Sequence, residues 1–260
     1  MQSFEKVITR AREMWPGADF SADFNKLAER AAADMAEGAT LARVALRLAG
    51  QSGSGKSSQL LPMAVRHFEL AGIKSVHIAV RNFVPYFPNL DELVARVGKD
   101  NMREATNAFA LSLMFATIEK LGRMGAAMII ELALLEPLFE EAVIESLADY
   151  DLTLHAIACP RAVSDAFIAK REAETGRIVN KDSMEYFWRE HDNGFATWAT
   201  ARADTPCVVW SPCSLVPIYE GTVAGGAEVS RARRLIACEP LPADELLAAK
   251  MEFITRRAEA

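Results

Sequence analysis

The stretch LAGQSGSGKSSQL, Leu48–Leu60, decides how the rest of the chain is read. Its core, Gly50–Ser57, fits G-x-x-x-x-G-K-[ST] at every fixed position. With ordinary residue frequencies, glycine near 7% among them, a chain of this length holds such a match by chance in roughly 1 case in 100. The apolar run RVALRLAG, Arg43–Gly50, leads into the turn and a helical pattern leaves it from Gly55, the strand-turn-helix setting in which the motif has a mechanism. Gly50, Gly53 and Gly55 let the backbone wrap closely around phosphate oxygens, and the amides from Ser54 to Ser57 lie where a helix N-terminus directs its positive end. Lys56 adds a full charge for the β- and γ-phosphates, the Ser57 hydroxyl is suited to Mg²⁺, and Ser58 follows on the helix surface. The stretch therefore predicts an ATP·Mg²⁺ site built from Gly50, Gly53, Ser54, Gly55, Lys56, Ser57 and Ser58.

Outward from this turn, apolar runs of strand length alternate with helix-length segments. The runs are KSVHIAV (Lys74–Val80), AAMIIEL (Ala126–Leu132), LTLHAIAC (Leu152–Cys159) and PCVVW (Pro206–Trp210). Helices are expected across Leu90–Val97 and Met102–Met124, and from about Pro137, Arg161 and Lys181. Strands covered by helices on both faces form a mainly parallel, doubly wound α/β sheet of the P-loop kinase kind. Two helical patterns, Ser3–Met14 and roughly Ala22–Ala36, precede it. SPCSLVPIYEGTVAGGAEVSRARRLIAC, Ser211–Cys238, is punctuated by Gly and Pro and suggests a short antiparallel excursion, and a helix over Ala243–Arg257 closes the chain. The expected organisation is an N-terminal helical extension over 1–40, a core over 41–212 and a C-terminal extension over 213–260.

The chain has 260 residues, 51% of them hydrophobic, enough for a substantial buried core. A formal charge of −6 and a pI near 5.4 argue against general affinity for a nucleic-acid backbone. The tract Ala108–Ile118 is too short to span a bilayer, so no membrane partner is expected. The N-terminal residues MQSFEKVITRAREMWPG mix charges into every turn and show no apolar signal region, which predicts a cytoplasmic protein. Cys159, Cys207, Cys213 and Cys238 form no C-x-x-C pair and are read as reduced, mostly buried thiols. Trp188 and Trp198, at helical spacing, are read as packing a hydrophobic face, and the run Arg231–Arg234 as a solvated turn or strand edge.

A phosphate-binding turn alone does not separate kinases from other nucleotide hydrolases. The chain has no N-K-x-D guanine signature, and its AAMIIE run ends in a single acid, Glu131, not in an Asp-Glu pair. From about Leu46 to Trp210 it resembles the zeta toxin family, P-loop kinases that phosphorylate UDP-N-acetylglucosamine and related UDP-sugars and are often paired with an antitoxin. The resemblance rests on an ordered set: LAGQSGSGKSS; FVPYFPNLDELV, similar to the family's H-P-x-[FY]-x-E-L; GAAMIIELAL, similar to its apolar strand ending in Glu-Gly-Thr; and YDLTLHAIACPRAVSDAFIAKREAETGR, similar to its strand, Pro turn and arginine-bearing helix. It implies that Lys56 and Ser57 serve ATP and Mg²⁺, that Glu131 is the acid at the third strand's end, and that Arg171 and Arg177 stabilise the transferred phosphoryl group. Arginine suits that task because its planar fork matches phosphate oxygens. A small acceptor such as a UDP-sugar and an antitoxin-like protein are the partners it implies.

The resemblance breaks at one segment. The family carries D-x-D-x-[FL] after its second strand, one aspartate acting as base. Here that stretch is HIAVRNF, His77–Phe83, so Ala79 and Arg81 stand at the acid positions and Phe87 replaces the histidine before proline. Base assistance contributes about 10²–10⁴-fold, so its loss weakens transfer without abolishing nucleotide binding. Glu131 is the replacement base to expect, or an ion-pair partner or magnesium ligand. Arg81 at the acceptor mouth suggests an anionic acceptor, and Asn82 either orients an acceptor hydroxyl or forms a turn. His77 is read as a core histidine. The expected function is ATP-dependent transfer to a hydroxyl. The alternative is a nucleotide-binding interaction protein, or a pseudokinase, with little or no transfer.

Overall fold

The computed structural model of the protein describes residues 6–10, 13, 24–176 and 179–259. Residues 6–10 are helical, and α1 spans Phe24–Ala36. β1 (Val44–Ala49) enters the glycine turn, which opens into a π-type turn (Lys56–Leu60) continuous with α2 (Leu61–Leu70). There follow β2 (Val76–Ile78), a 3₁₀ segment (Val80–Tyr86), α3 (Leu90–Val97) and the long α4 (Lys99–Met124). Next come β3 (Met128–Glu131), α5 (Pro137–Ser146), β4 (Asp151–Ile157), α6 (Arg161–Thr175) and α7 (Lys181–Ala201). β5 (Pro206–Trp210), β6 (Tyr219–Thr222), α8 (Val223–Arg234) and α9 (Ala243–Glu259) complete the chain.

The strands form one sheet in the order β2-β3-β1-β4-β5-β6, parallel except for β6, which runs antiparallel along β5. β1 is central, flanked by β3 and β4, and Leu48 is in register with Glu131 and with His155. That register sets the Glu131 carboxylate beside the phosphate-binding turn. Alternation along β1 divides its side chains between two apolar layers. Ala45 and Ala49 join Phe83, Phe109, Phe115 and Phe139 on one face, while Leu46 and Leu48 join Met63, Phe68, Trp210 and Ile254 on the other.

Helix α4 is apolar around most of its circumference from Ala108 to Ile118, because α1, α3, α5 and the 3₁₀ segment surround it. The tract too short for a bilayer is thus the centre of a helical layer, and no helix among the described residues is long and apolar enough to cross a membrane. α9 covers the opposite face against α2 and the π-type turn. There Lys250 is buried with its ammonium 4.8 Å from the Trp210 ring centre.

Four details differ from the sequence reading. β2 stops at Ile78, where the Asn82 side-chain amide donates to the His77 carbonyl (2.8 Å) and the Asn82 N–H to the Ala79 carbonyl (2.9 Å), turning the chain into the 3₁₀ segment. The Gly-rich stretch after β6 is helical: a Cβ at Gly226 would lie 2.6 Å from Cys207 Sγ, so glycine lets α8 approach β5 closely. The Arg231–Arg234 run is the last turn of that helix, and Arg234 is buried, paired with Asp192 and 4.0 Å from the Trp188 ring centre. Cys213 and Cys238 are joined by a disulfide, their Cα atoms 6.3 Å apart, whereas Cys159 and Cys207 are buried free thiols.

Candidate active site

The turn after β1 is shaped by backbone that side chains would block. Gly53 has φ +75°, and a Cβ there would lie 2.6 Å from the Ser164 carbonyl and 2.8 Å from Ile168, both on α6. Gly50, at φ +144°, would bring a Cβ within 2.6 Å of Ser54 Oγ. Ser54 is fully buried in the turn, and Gln51 braces it from outside by donating to the Cys159 carbonyl (2.6 Å). Gly55, at φ +101°, starts the π-type turn, so the amides that follow point out of the helix end. Ser58 lies on the exposed helix surface.

Lys56 spans this turn, its ammonium donating to the carbonyls of Gly50 (2.6 Å) and Gln51 (2.9 Å). Desolvation lowers its pKa to about 8, outweighing the Glu131 charge, and the charges of Arg47 and Arg171 act in the same direction as burial. Arg171 lies on α6. Arg177 lies outside the described residues.

Glu131 is the centre of the arrangement. One carboxylate oxygen accepts a short hydrogen bond from Ser57 Oγ. The other accepts from His77 Nε2 (2.9 Å) and from Arg81 (3.0 Å). Burial by itself would raise the Glu131 pKa, but hydrogen bonds from His77, Ser57 and Arg81, with the Arg81 charge, hold it at about 2. The Glu131 side chain is 4% exposed and that of Arg81 49%, so the pair runs from the interior to the mouth of the crevice. Asn82 is engaged with the His77 carbonyl and braces this corner. Phe87 is buried against Phe109, ring centres 5.0 Å apart, and belongs to the core.

Two parts of the neighbourhood escaped the sequence reading. His77 is not a core histidine: its side chain is 27% exposed and its ring bonds the acid. The signal was its place on the strand next to β3, in register with Ile129, two positions before the acid. The second is a fully buried ion pair behind the site, Arg47 with Glu140 at 3.2 Å. Arg47 also donates to the carbonyls of Leu132 (2.6 Å) and Ala133 (3.0 Å), which anchors the chain leaving Glu131. Glu140 accepts from the Leu135 N–H (2.8 Å) and from Trp198 Nε1 (2.7 Å). A charge at the centre of the apolar run RVALRLAG, Arg47, was its mark in the sequence. Trp198 packs as expected, with this polar tip added, while Trp188 is half-buried under Arg234.

These residues fit a nucleotide with magnesium. The turn leaves space where Cβ atoms would intrude, and the Ser57 hydroxyl and Glu131 carboxylate are hard oxygen donors close together. Mg²⁺ takes one or two protein oxygens and completes its shell from phosphate and water.

A parallel sheet with β1 between β3 and β4, a glycine turn at the end of β1 and an acid at the end of β3 define a kinase-like P-loop nucleotide-binding protein. The chain belongs to the zeta toxin family, whose model matches residues 30–209. Its fold is similar to a structure from the PezAT chromosomal toxin-antitoxin system of Streptococcus pneumoniae, at a TM-score of 0.63 and 20% identity, covering 93% of this chain and 98% of that one. A candidate kinase from Chloroflexus aurantiacus aligns at a TM-score of 0.44 and 12% identity, covering 75% of this chain and 99% of that one. No curated protein matches the chain significantly by sequence.

Proposed function

We propose that the protein transfers the γ-phosphoryl group of ATP to a hydroxyl of a small acceptor, and that Lys56, Ser57, Glu131, Arg171 and Arg177 carry the reaction. The observation behind this reading is the Ser57–Glu131 hydrogen bond, which ties the first turn of the nucleotide-binding helix to the strand-end acid. The amides from Ser54 to Ser57 and the Lys56 ammonium bind and orient the triphosphate. Magnesium, when bound, supplies charge neutralisation between the β- and γ-phosphoryl oxygens, and Ser57 and Glu131 are the residues that would hold it. Arg171 and Arg177 are the cations that would stabilise the charge that spreads over the transferring group.

An acid held at about 2 is a weak base, so Glu131 orients the acceptor hydroxyl by accepting its hydrogen bond. In a loose transition state the proton leaves late, when the attacking oxygen has already become acidic, and a weak base then suffices. A UDP-sugar such as UDP-N-acetylglucosamine is the acceptor class suggested by the family. The likeness to a toxin-antitoxin component suggests an antitoxin-like protein as partner, with action in the cytoplasm.

The test is Mg²⁺-dependent ADP release with a panel of UDP-sugars, nucleosides and other hydroxyl compounds. Stimulation by one acceptor class, abolished by Lys56→Ala, is expected. A second reading, nucleotide binding for interaction with a partner and without transfer, is favoured by the engagement of Glu131 with Arg81 and His77. Tight ATP binding with no stimulation by any acceptor would establish that reading instead.

A further inference from the structure

Glu131 is met by donors from three separate elements. Ser57 Oγ, in the first turn of the nucleotide-binding helix, donates to one carboxylate oxygen. His77 Nε2 on β2 (2.9 Å) and Arg81 in the 3₁₀ segment (3.0 Å) donate to the other. A carboxylate oxygen has two lone pairs, so the oxygen shared by His77 and Arg81 is saturated, while the one bonded to Ser57 keeps a free direction. That oxygen and the Ser57 hydroxyl are the pair that would hold magnesium. Arg81 therefore leaves the coordinating atoms open and acts on them through its charge.

The Glu131 carboxylate is the group that would draw a divalent cation to this corner, and the Arg81 guanidinium at 3.0 Å offsets its negative charge. Even at the dielectric of water, a unit charge within about 5 Å of a divalent cation opposes its binding about tenfold. The contact is also one that can open. Arg81 reaches Glu131 through a single Nη2 bond, and its side chain is half-exposed, whereas the Arg47–Glu140 pair behind the site is fully buried. We infer that Arg81 is an internal counter-ion that competes with the divalent metal for the charge of Glu131, and so sets how far nucleotide binding depends on metal. The inference rests on the reading of Ser57 and Glu131 as the magnesium-holding residues. The turn amides and Lys56 supply nucleotide affinity that needs no metal, and Arg81 has to leave Glu131 before a metal is held tightly there.

The full chain is titrated with Mn²⁺, with and without ATP, by electron paramagnetic resonance, and ATP affinity is measured by calorimetry in EDTA and in Mg²⁺. Arg81→Ala should tighten Mn²⁺ binding about tenfold and widen the gap between the two ATP affinities by a similar factor. Arg81→Lys, which keeps the charge, should restore the wild-type values. On a Glu131→Gln background, where Arg81 is no longer drawn to a carboxylate, Arg81→Ala should change Mn²⁺ affinity little. Unchanged Mn²⁺ affinity in Arg81→Ala, a gain that persists in Arg81→Lys, or an equal gain on the Glu131→Gln background would each overturn the inference. Should Arg81→Ala fail to fold, Arg81→Gln carries the same prediction. Acceptor-stimulated ADP release by the wild type with unchanged Mn²⁺ affinity in the variant would sink this inference only; absent ATP binding with the Mn²⁺ gain intact would sink the kinase reading only.

Discussion

Lys56 and Glu131 are tuned in ways that solution titrations can read. The Lys56 ammonium sits at about pKa 8, so triphosphate affinity should decline as pH rises from 7.5 to 10 and the cation is lost. Calorimetry across that range should show a fall of about tenfold or more. Lys56→Ala should abolish the pH dependence together with the binding. Glu131 is depressed from the ordinary 4.5 to about 2. A depressed carboxyl stabilises the fold above its unfolded pKa, and that contribution disappears as pH falls from about 4.5 through 2. The shift corresponds to about 3 kcal/mol. Urea unfolding between pH 6 and 2 should therefore show a steeper acid loss for the wild type than for Glu131→Gln; equal slopes would mean that the hydrogen bonds from Ser57, His77 and Arg81 do not hold the charge in solution. Arg171→Ala should lower phosphoryl transfer by about 10²-fold or more while changing ATP affinity little. An equal loss of both would make Arg171 a ground-state nucleotide ligand.

Among the elements, β1 carries two messages of different legibility. Its role as the strand entering the phosphate turn is local, written in RVALRLAG and the glycines after it. Its Arg47 is understood only when β3, α5 and α7 surround it, because the partners Leu132, Ala133 and Glu140 lie far along the chain. Breaking this buried pair by Glu140→Leu should cost about 3–5 kcal/mol, since Arg47 is left charged in the interior. Trp198→Phe, which removes one donor to Glu140, should cost about 1–3 kcal/mol. Both are measurable by urea unfolding, and a neutral Glu140→Leu would show that Arg47 finds water or carbonyls enough without it. Helix α8 was illegible for a related reason. Its glycines lower helix propensity, yet Gly226 is small where α8 meets Cys207 on β5. Packing gain at a tertiary contact overrode the local preference.

For the molecule as a whole, the C-terminal third holds the largest departure from the sequence reading. The Cys213–Cys238 bond closes a sequence separation of 25 residues and ties the segment after β5 to the approach to α9, which covers the nucleotide-binding helix. A loop of that size gives a stabilisation of up to about 3 kcal/mol. Reduction, or Cys238→Ser, should then lower Tm by several degrees in thermal unfolding. An unchanged Tm would show that α9 is held by its apolar face against α2 alone. Spacing says nothing of such a pair, since two cysteines without a motif meet only through the fold.

The sequence by itself determined the phosphate turn, the alternation of strands and helices and the ordered motifs of the family, because those signals reside in neighbours along the chain: glycines that permit a turn, a lysine and serine at the helix start, and apolar runs of fitting length. Only the tertiary structure decided the register of Leu48 against Glu131, the closure of His77, Ser57 and Arg81 on one carboxylate, and the buried Arg47–Glu140 pair. Each of these depends on side chains from separate strands and helices, and sheet register and close packing alone set those distances.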